Sequence, residues 1–117
     1  MKKVLFILLG MLFCHTLYAE KEKVDPVDDG WEKKQGRNNT SPQLYQDETY
    51  VYIYSEKQLD NLYIGITDMQ GNIYYEEIST VSSGIYYPIS IELLPQGMYY
   101  ISIIQGSNYV VGIFSKS

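Results

Sequence analysis

Residues 50–54 read Tyr-Val-Tyr-Ile-Tyr, and residues 62–67 read Leu-Tyr-Ile-Gly-Ile-Thr. In both stretches apolar residues take every second position, which is the period of a β-strand with one buried face. Val51 and Ile53 therefore share one face of the first strand, while its three tyrosines share the other. This alternation predicts strands that each contribute one side to a common core.

The same period continues to the end of the chain, interrupted by short segments rich in Gly, Pro, Asp and Asn. Such segments end strands and form tight turns. Further strands, the first of them short, are predicted at residues 43–46, 73–78, 89–93, 98–104 and 109–114. No stretch of the domain has the period of an amphipathic helix. Six or seven strands with turns at this spacing predict an all-β fold, an antiparallel β-sandwich over residues 42–117.

The N-terminal 19 residues have the parts of a signal peptide. Lys2 and Lys3 form a basic start, and residues 4–14 form an apolar segment too short to span a bilayer. We expect cleavage near Ala19 and an exported protein, in the periplasm, on the outer surface or outside the cell, with no stable membrane insertion after cleavage. Residues 20–41 are charged, polar and aperiodic, so we expect a flexible polar leader before the domain.

Cleavage at this position would remove Cys14 and His15, the only cysteine and the only histidine of the chain. The remaining chain would have no thiol or imidazole, and so no Cys nucleophile, no serine–histidine triad and no Cys/His zinc site. Its carboxylates include adjacent pairs such as Glu76-Glu77, whose side chains point to opposite faces of a strand and make poor catalytic dyads. We therefore expect no catalytic residue, no metal, no cofactor and no enzymatic activity.

The charge of the chain restricts its partners. The formal net charge is −5, and an acidic surface repels phosphate backbones, which argues against nucleic acid as a partner. Without Cys14 no disulfide could form, so packing alone must stabilise a small domain.

Tyrosine is abundant, with 13 residues among 117. Tyr50, Tyr52 and Tyr54 would lie about 7 Å apart along one strand face, and Tyr63 could join them if the two strands pair as a hairpin. Such rings can stack on sugars or anchor a protein partner, or they can simply cover the sheet. Trp31, the only tryptophan, is a further candidate for ligand stacking or partner anchoring, and its alternative role is to cap one end of the sandwich.

The segment Leu94-x-x-Gly97-x-Tyr99-x-Ile101 resembles the tyrosine corner of immunoglobulin-like domains. In that motif a tyrosine near the start of the penultimate strand bonds back to the preceding loop. Ile101 stands where antibody domains have their second cysteine, so the resemblance is to relatives without a disulfide. It implies a structural role for Gly97 and Tyr99.

Short motifs also follow one another along the whole chain: Gly30-Trp31, Asp68-x-x-Gly71, Gly97-x-Tyr99 and Gly112-x-Phe114. Together with the signal peptide and the polar leader, this order resembles a family of small exported proteins catalogued as domain of unknown function 3244. The resemblance implies an immunoglobulin-like β-sandwich and residence in the envelope or outside the cell. It implies no reaction, because the family has no assigned activity to carry over.

Two functions follow from these observations. The first is a non-catalytic binding or adhesion module for a glycan or a protein ligand. The alternative is a structural or assembly component of the cell envelope that associates through strand edges. The closing strand, residues 109–114, is the expected free edge and could pair with a second copy in a weak homodimer. The expected partner is therefore a polysaccharide or an envelope protein.

Overall fold

The computed structural model describes residues 21–31 and 41–117, and every regular element within them is a β-strand. These strands are β1 (Glu22–Val24), β2 (Pro26–Asp29), β3 (Gln43–Gln46), β4 (Tyr50–Tyr54), β5 (Leu59–Asp68), β6 (Ile73–Val81), β7 (Tyr87–Ser90), β8 (Gly97–Gln105) and β9 (Asn108–Lys116). They form two sheets, of strand order β1-β3-β4-β7 and β2-β9-β8-β5-β6. All neighbouring strands are antiparallel, which confirms the antiparallel architecture predicted from the alternating pattern.

The two sheets pack face to face through their apolar sides. Val51 and Ile53 of β4 are fully buried in the four-stranded sheet, and Ile64, Ile101 and Ile103 are fully buried in the five-stranded sheet. β-branched side chains dominate this core because they suit a pleated surface and lose little rotamer freedom when packed. Each fully buried side chain of this size contributes roughly 1.5–3 kcal/mol.

Glycine allows the sheets to approach closely at one point of the interface. A Cβ atom at Gly112 of β9 would lie 2.8 Å from Leu44 Cδ1 and 3.0 Å from Val24 Cγ1. Both neighbours belong to the four-stranded sheet, so the missing side chain of Gly112 makes room for the residues that cross the interface.

The segment of residues 21–31 differs from the predicted flexible leader. Within it, β1 pairs with β3 of one sheet, and β2 pairs with β9 of the other. Val24 and Trp31 enter the core with exposed fractions of 5% and 7%. The alternating pattern did not predict these two strands, because they are short and charged and place few side chains inward. Residues 20 and 32–40 of the predicted leader, and the predicted signal peptide at residues 1–19, lie outside the described residues.

The free edge of the five-stranded sheet also differs from the prediction. The closing strand β9 lies between β8 and β2, and β2 pairs with residues 110–112. The two edge strands of this sheet are β2, which has four residues, and β6, which has nine. Glu76 and Glu77 place charges on both faces of β6, which discourages uncontrolled strand addition. The described residues include no helix, and therefore none of the length and apolarity that a membrane crossing requires.

Trp31→Ala tests whether the N-terminal segment belongs to the folded domain. We expect the free energy of unfolding to fall by about 3–5 kcal/mol, because removal of a buried aromatic side chain leaves a cavity. Val27→Ala is the matched control in the same segment: Val27 is 55% exposed, and its loss should cost less than about 0.5 kcal/mol. Urea denaturation measures both variants, and equal small effects would contradict the packing of this segment.

Candidate functional site

A group of tyrosines lies on the outer face of the four-stranded sheet. We call it the tyrosine surface, and its members are Tyr45, Tyr50, Tyr52, Tyr54 and Tyr86. Strand β3 supplies the first, β4 the next three, and the loop before β7 the last. Leu44, Val51 and Ile53 alternate with these residues and are buried, so the tyrosines point away from the core.

Tyr86 joins the rings into one group. Its ring centroid lies 5.4 Å from that of Tyr45, 6.1 Å from that of Tyr52 and 4.8 Å from that of Tyr54. The centroids of Tyr50 and Tyr52 are 5.8 Å apart. These distances are those of favourable aromatic pairs. Tyr50 and Tyr86 keep 37% and 41% of their surface exposed, so the group presents ring surface to solvent as well as to its own members.

Asp47 fixes the turn that leads into β4 and orients one of the rings. Its Oδ1 accepts hydrogen bonds from the amides of Thr49 and Tyr50, at 2.9 and 2.8 Å. Its Oδ2 accepts one from the Tyr52 hydroxyl at 2.6 Å. Burial alone would raise the pKa of Asp47, but these hydrogen bonds and the charge of Lys21 lower it. Burial and the bond to Asp47 raise the pKa of Tyr52 to about 12, which keeps its hydroxyl a donor.

Lys21, the residue before β1, lies against two of these rings. Its Nζ is 4.8 Å from the ring centroid of Tyr52 and 4.9 Å from that of Tyr86. The two rings are nearly perpendicular, with an interplanar angle of 88°. The ammonium group therefore lies in the corner between them and makes a cation–π contact with each ring.

Tyr63 does not join the tyrosine surface. Strands β4 and β5 belong to different sheets, so the hairpin pairing that would have brought Tyr63 beside Tyr52 does not occur. The Tyr63 hydroxyl instead donates to Glu76 Oε2 at 2.7 Å, and this bond is the main reason that the pKa of Tyr63 is raised.

Trp31 does not join the surface either. It is a buried core residue, and its amide donates to Asp29 Oδ1 at 3.1 Å. Its ring is therefore committed to packing and cannot stack on a ligand.

Sequence reasoning missed Tyr45 and Tyr86. A signal for Tyr86 exists, because Ile89 and Ile91 face inward and period two then places Tyr86 on the outer face. What the period cannot show is that β3 and β7 are the neighbours of β4, and these pairings bring the rings of different strands together.

The tyrosine corner has the geometry expected from its resemblance. The Tyr99 hydroxyl donates to the carbonyl oxygen of Pro95 at 2.5 Å, and the Tyr99 ring stacks on Phe114 with centroids 5.6 Å apart. Gly97 begins β8 with a φ of 152°, a conformation that residues with side chains rarely adopt. These residues fix the turn into β8, which is a structural role.

A polar cluster connects the two sheets beside β6. Glu77 Oε1 accepts hydrogen bonds from the hydroxyls of Tyr75 and Tyr87, the second at 3.0 Å. The Tyr87 hydroxyl also lies 2.9 Å from Ser79 Oγ. Burial is the main reason that the pKa values of Tyr75 and Tyr87 are raised, so both remain neutral donors. In residues 21–31 and 41–117 no three Asp, Glu, His or Cys side chains form a group that could hold a metal ion.

Two packed antiparallel sheets with a tyrosine corner define an immunoglobulin-like β-sandwich. The family model described as Domain of unknown function (DUF3244) matches residues 25–115, and the chain belongs to this family. The match begins inside the N-terminal segment that forms β1 and β2.

A solved structure has the same fold. It is the crystal structure of a DUF3244 family protein with an immunoglobulin-like β-sandwich fold from Bacteroides vulgatus ATCC 8482. The alignment has a TM-score of 0.69 and 23% sequence identity, and it covers 84% of this chain and 100% of that chain. A search among curated proteins found no match.

Asp47→Asn tests the coupling within the tyrosine surface. We expect the pKa of Tyr52 to fall from about 12 toward its ordinary value of 10.0, because the variant lacks the carboxylate charge that stabilises the protonated hydroxyl. Since the folded pKa is the higher one, Tyr52 contributes stability that is fully present below pH 10.0 and is lost as pH rises through about 12.

The NMR shift of the Tyr52 ring carbon that carries the hydroxyl reports this titration. Glu48→Gln is the matched control, because it removes the neighbouring charge without removing the hydrogen-bond acceptor of Tyr52. An unchanged Tyr52 titration in Asp47→Asn would show that the bond to Asp47 does not hold in solution.

Tyr99→Phe tests the tyrosine corner. Loss of the bond to Pro95 leaves its carbonyl without this partner, and we expect the free energy of unfolding to fall by about 1 kcal/mol. Tyr100→Phe removes a hydroxyl from the adjacent residue, which faces outward and is half-buried, and should leave stability nearly unchanged. Chemical denaturation compares the two, and equal losses would contradict the role of the corner.

Proposed function

We propose that this protein is an exported, non-catalytic binding module that holds a glycan against the tyrosine surface. The observation that carries this proposal is the group of five rings, joined through Tyr86, on one outer sheet face. A monomer normally avoids exposing contiguous apolar area on its surface, and exposed patches of this kind are commonly used for binding. The exposed fractions of Tyr50 and Tyr86, 37% and 41%, leave ring surface free for a ligand.

The shape and chemistry of the surface favour a sugar chain. Strand β4 runs about 13 Å from Tyr50 to Tyr54, which gives an extended platform along which a short oligosaccharide can lie. Tyrosine combines a flat apolar ring with a polar tip, so a sugar can stack on the ring and exchange hydrogen bonds with nearby hydroxyls. The Tyr45 hydroxyl and Gln43, joined by a 2.8 Å hydrogen bond, add polar groups at one side of the platform.

The same geometry supports a non-catalytic role. Asp47 is the carboxylate beside the rings, and its oxygens accept hydrogen bonds from two backbone amides and the Tyr52 hydroxyl. Its pKa is lowered, whereas a general acid needs a proton to give at neutral pH. Asp47 therefore serves the turn and the ring orientation. The proposed site of action outside the cytoplasm follows from the signal-peptide pattern of residues 1–19.

A second candidate is assembly in the cell envelope through the edge strand β6. β6, with nine residues, is the longest edge strand of the two sheets in the described part of the chain. Ile73 and Ile78 of this strand expose 58% and 69% of their surface. An extended segment of a partner can pair with such an edge. Two copies pairing through β6 would bring the carboxylates of Glu76 and Glu77 close together, so this route favours a basic partner strand over a second copy.

The combined substitution of Tyr50, Tyr52 and Tyr54 by serine tests the glycan proposal. In affinity electrophoresis through gels that contain neutral, acidic or amine-bearing polysaccharides, we expect the protein to be retarded by at least one polysaccharide and the triple variant to migrate freely. The physical reason is that the variant lacks three of the five rings of the platform.

Tyr63→Ser is the matched control, since it removes a tyrosine of the opposite sheet and should keep wild-type retardation. Thermal unfolding of each variant verifies the fold, and Tyr50→Ser alone provides the comparison if the triple variant is unstable. The proposal would be refuted if the triple variant were retarded as strongly as the wild type. It would also be refuted if no polysaccharide retarded the wild-type protein.

A further inference from the structure

The corner between Tyr52 and Tyr86 has the parts of a site for an organic cation. Two rings at 88° to each other, with centroids 6.1 Å apart, form its walls. A carboxylate adjoins it, because Asp47 Oδ2 accepts the Tyr52 hydroxyl at 2.6 Å. An ammonium group already lies in it, at 4.8 and 4.9 Å from the two ring centroids. Aromatic walls of this kind attract cations through their negative faces.

The occupant of the corner comes from the chain itself. Lys21 is exposed and precedes β1. Lys23, two residues later, lies opposite Tyr45 in the pairing of β1 with β3. Lys21 therefore contacts both rings of the corner. Lys23 belongs to the same segment, and its ammonium group makes no cation–π contact with a ring of the described residues. A flexible, exposed lysine is held weakly, so an ammonium group of a ligand can take its place.

We infer that this corner is an ammonium-binding subsite in which Lys21 acts as an internal occupant, and that the glycan of the tyrosine surface carries protonated amines, as polymers of glucosamine do. The inference rests on the proposed function and names the class of its ligand. A glucosamine unit can stack on Tyr50 or Tyr54 while the ammonium group of the same chain enters the corner. The net charge of −5 favours a cationic polymer over an anionic one.

The release of Lys21 is part of the binding event. A ligand must displace the lysine before its own ammonium group reaches both rings, so the internal contact lowers the affinity for the ligand. Removal of the lysine side chain should therefore strengthen binding. N-acetylation of the ligand removes its positive charge and should abolish the preference for the corner.

Lys21→Gln and Lys23→Gln together test the inference. Each removes one positive charge from the same segment, but only Lys21→Gln vacates the corner. Affinity electrophoresis is run with a soluble glucosamine polymer and with its N-acetylated form, at a mildly acidic pH at which the amines are protonated. We expect several-fold stronger retardation of Lys21→Gln than of the wild type by the amine polymer, with Lys23→Gln close to wild type.

Three results separate the inference from the proposed function. Equal behaviour of the two variants on the amine polymer overturns the inference. Equal retardation by the amine and N-acetylated polymers also overturns it, while leaving the tyrosine surface as a glycan site. If no polymer retards any variant, tetramethylammonium is titrated into Lys21→Gln. Shifts of the Tyr52 and Tyr86 ring signals would then support the ammonium-binding subsite and contradict the glycan-binding function. Unchanged signals would contradict both the subsite and the glycan-binding function.

Discussion

The strict alternation of side chains along β4 is the constraint on which the rest of the structure depends. Val51 and Ile53 are fully buried between the sheets, and the three tyrosines that alternate with them therefore lie on the outer face. A shift of one residue in the pairing of β4 would put the tyrosines into the core and the aliphatic residues into water. No cysteine lies in the described residues, so this packing acts without a disulfide. The core and the candidate binding surface are thus two consequences of one register.

The pairing of strands then decides which aromatic residues act together. Pairing of β4 with β3 and β7 brings the rings of Tyr45 and Tyr86 beside the row on β4. Asp47 connects the turn before β4 to the Tyr52 hydroxyl, and Lys21 adds a charge from the N-terminal segment. The surface therefore combines residues from distant parts of the chain, and the Asp47 carboxylate and the Lys21 ammonium group both contact its tyrosines.

The sequence pattern predicted the strands themselves better than it predicted which strands pair with one another. The alternation at residues 50–54 identified the strand, its buried side and its row of tyrosines, and the motif around Tyr99 identified the corner. It misplaced Tyr63 because period two contains no information about which sheet a strand joins. It missed the short strands of residues 21–31 because they place few side chains in the core, and it therefore also missed the pairing of β2 with β9.

The central claim is that the register of β4 presents a ligand-binding face, and mapping a bound polysaccharide by NMR tests it most directly. On titration with a polysaccharide that retards the protein, the account predicts shifts of amide and ring signals in β3, β4 and the loop before β7. Signals of β6 and β8, which lie in the other sheet, should stay unchanged. Shifts spread over the five-stranded sheet would contradict the account, and shifts confined to β6 would contradict it and favour binding at that edge of the sheet.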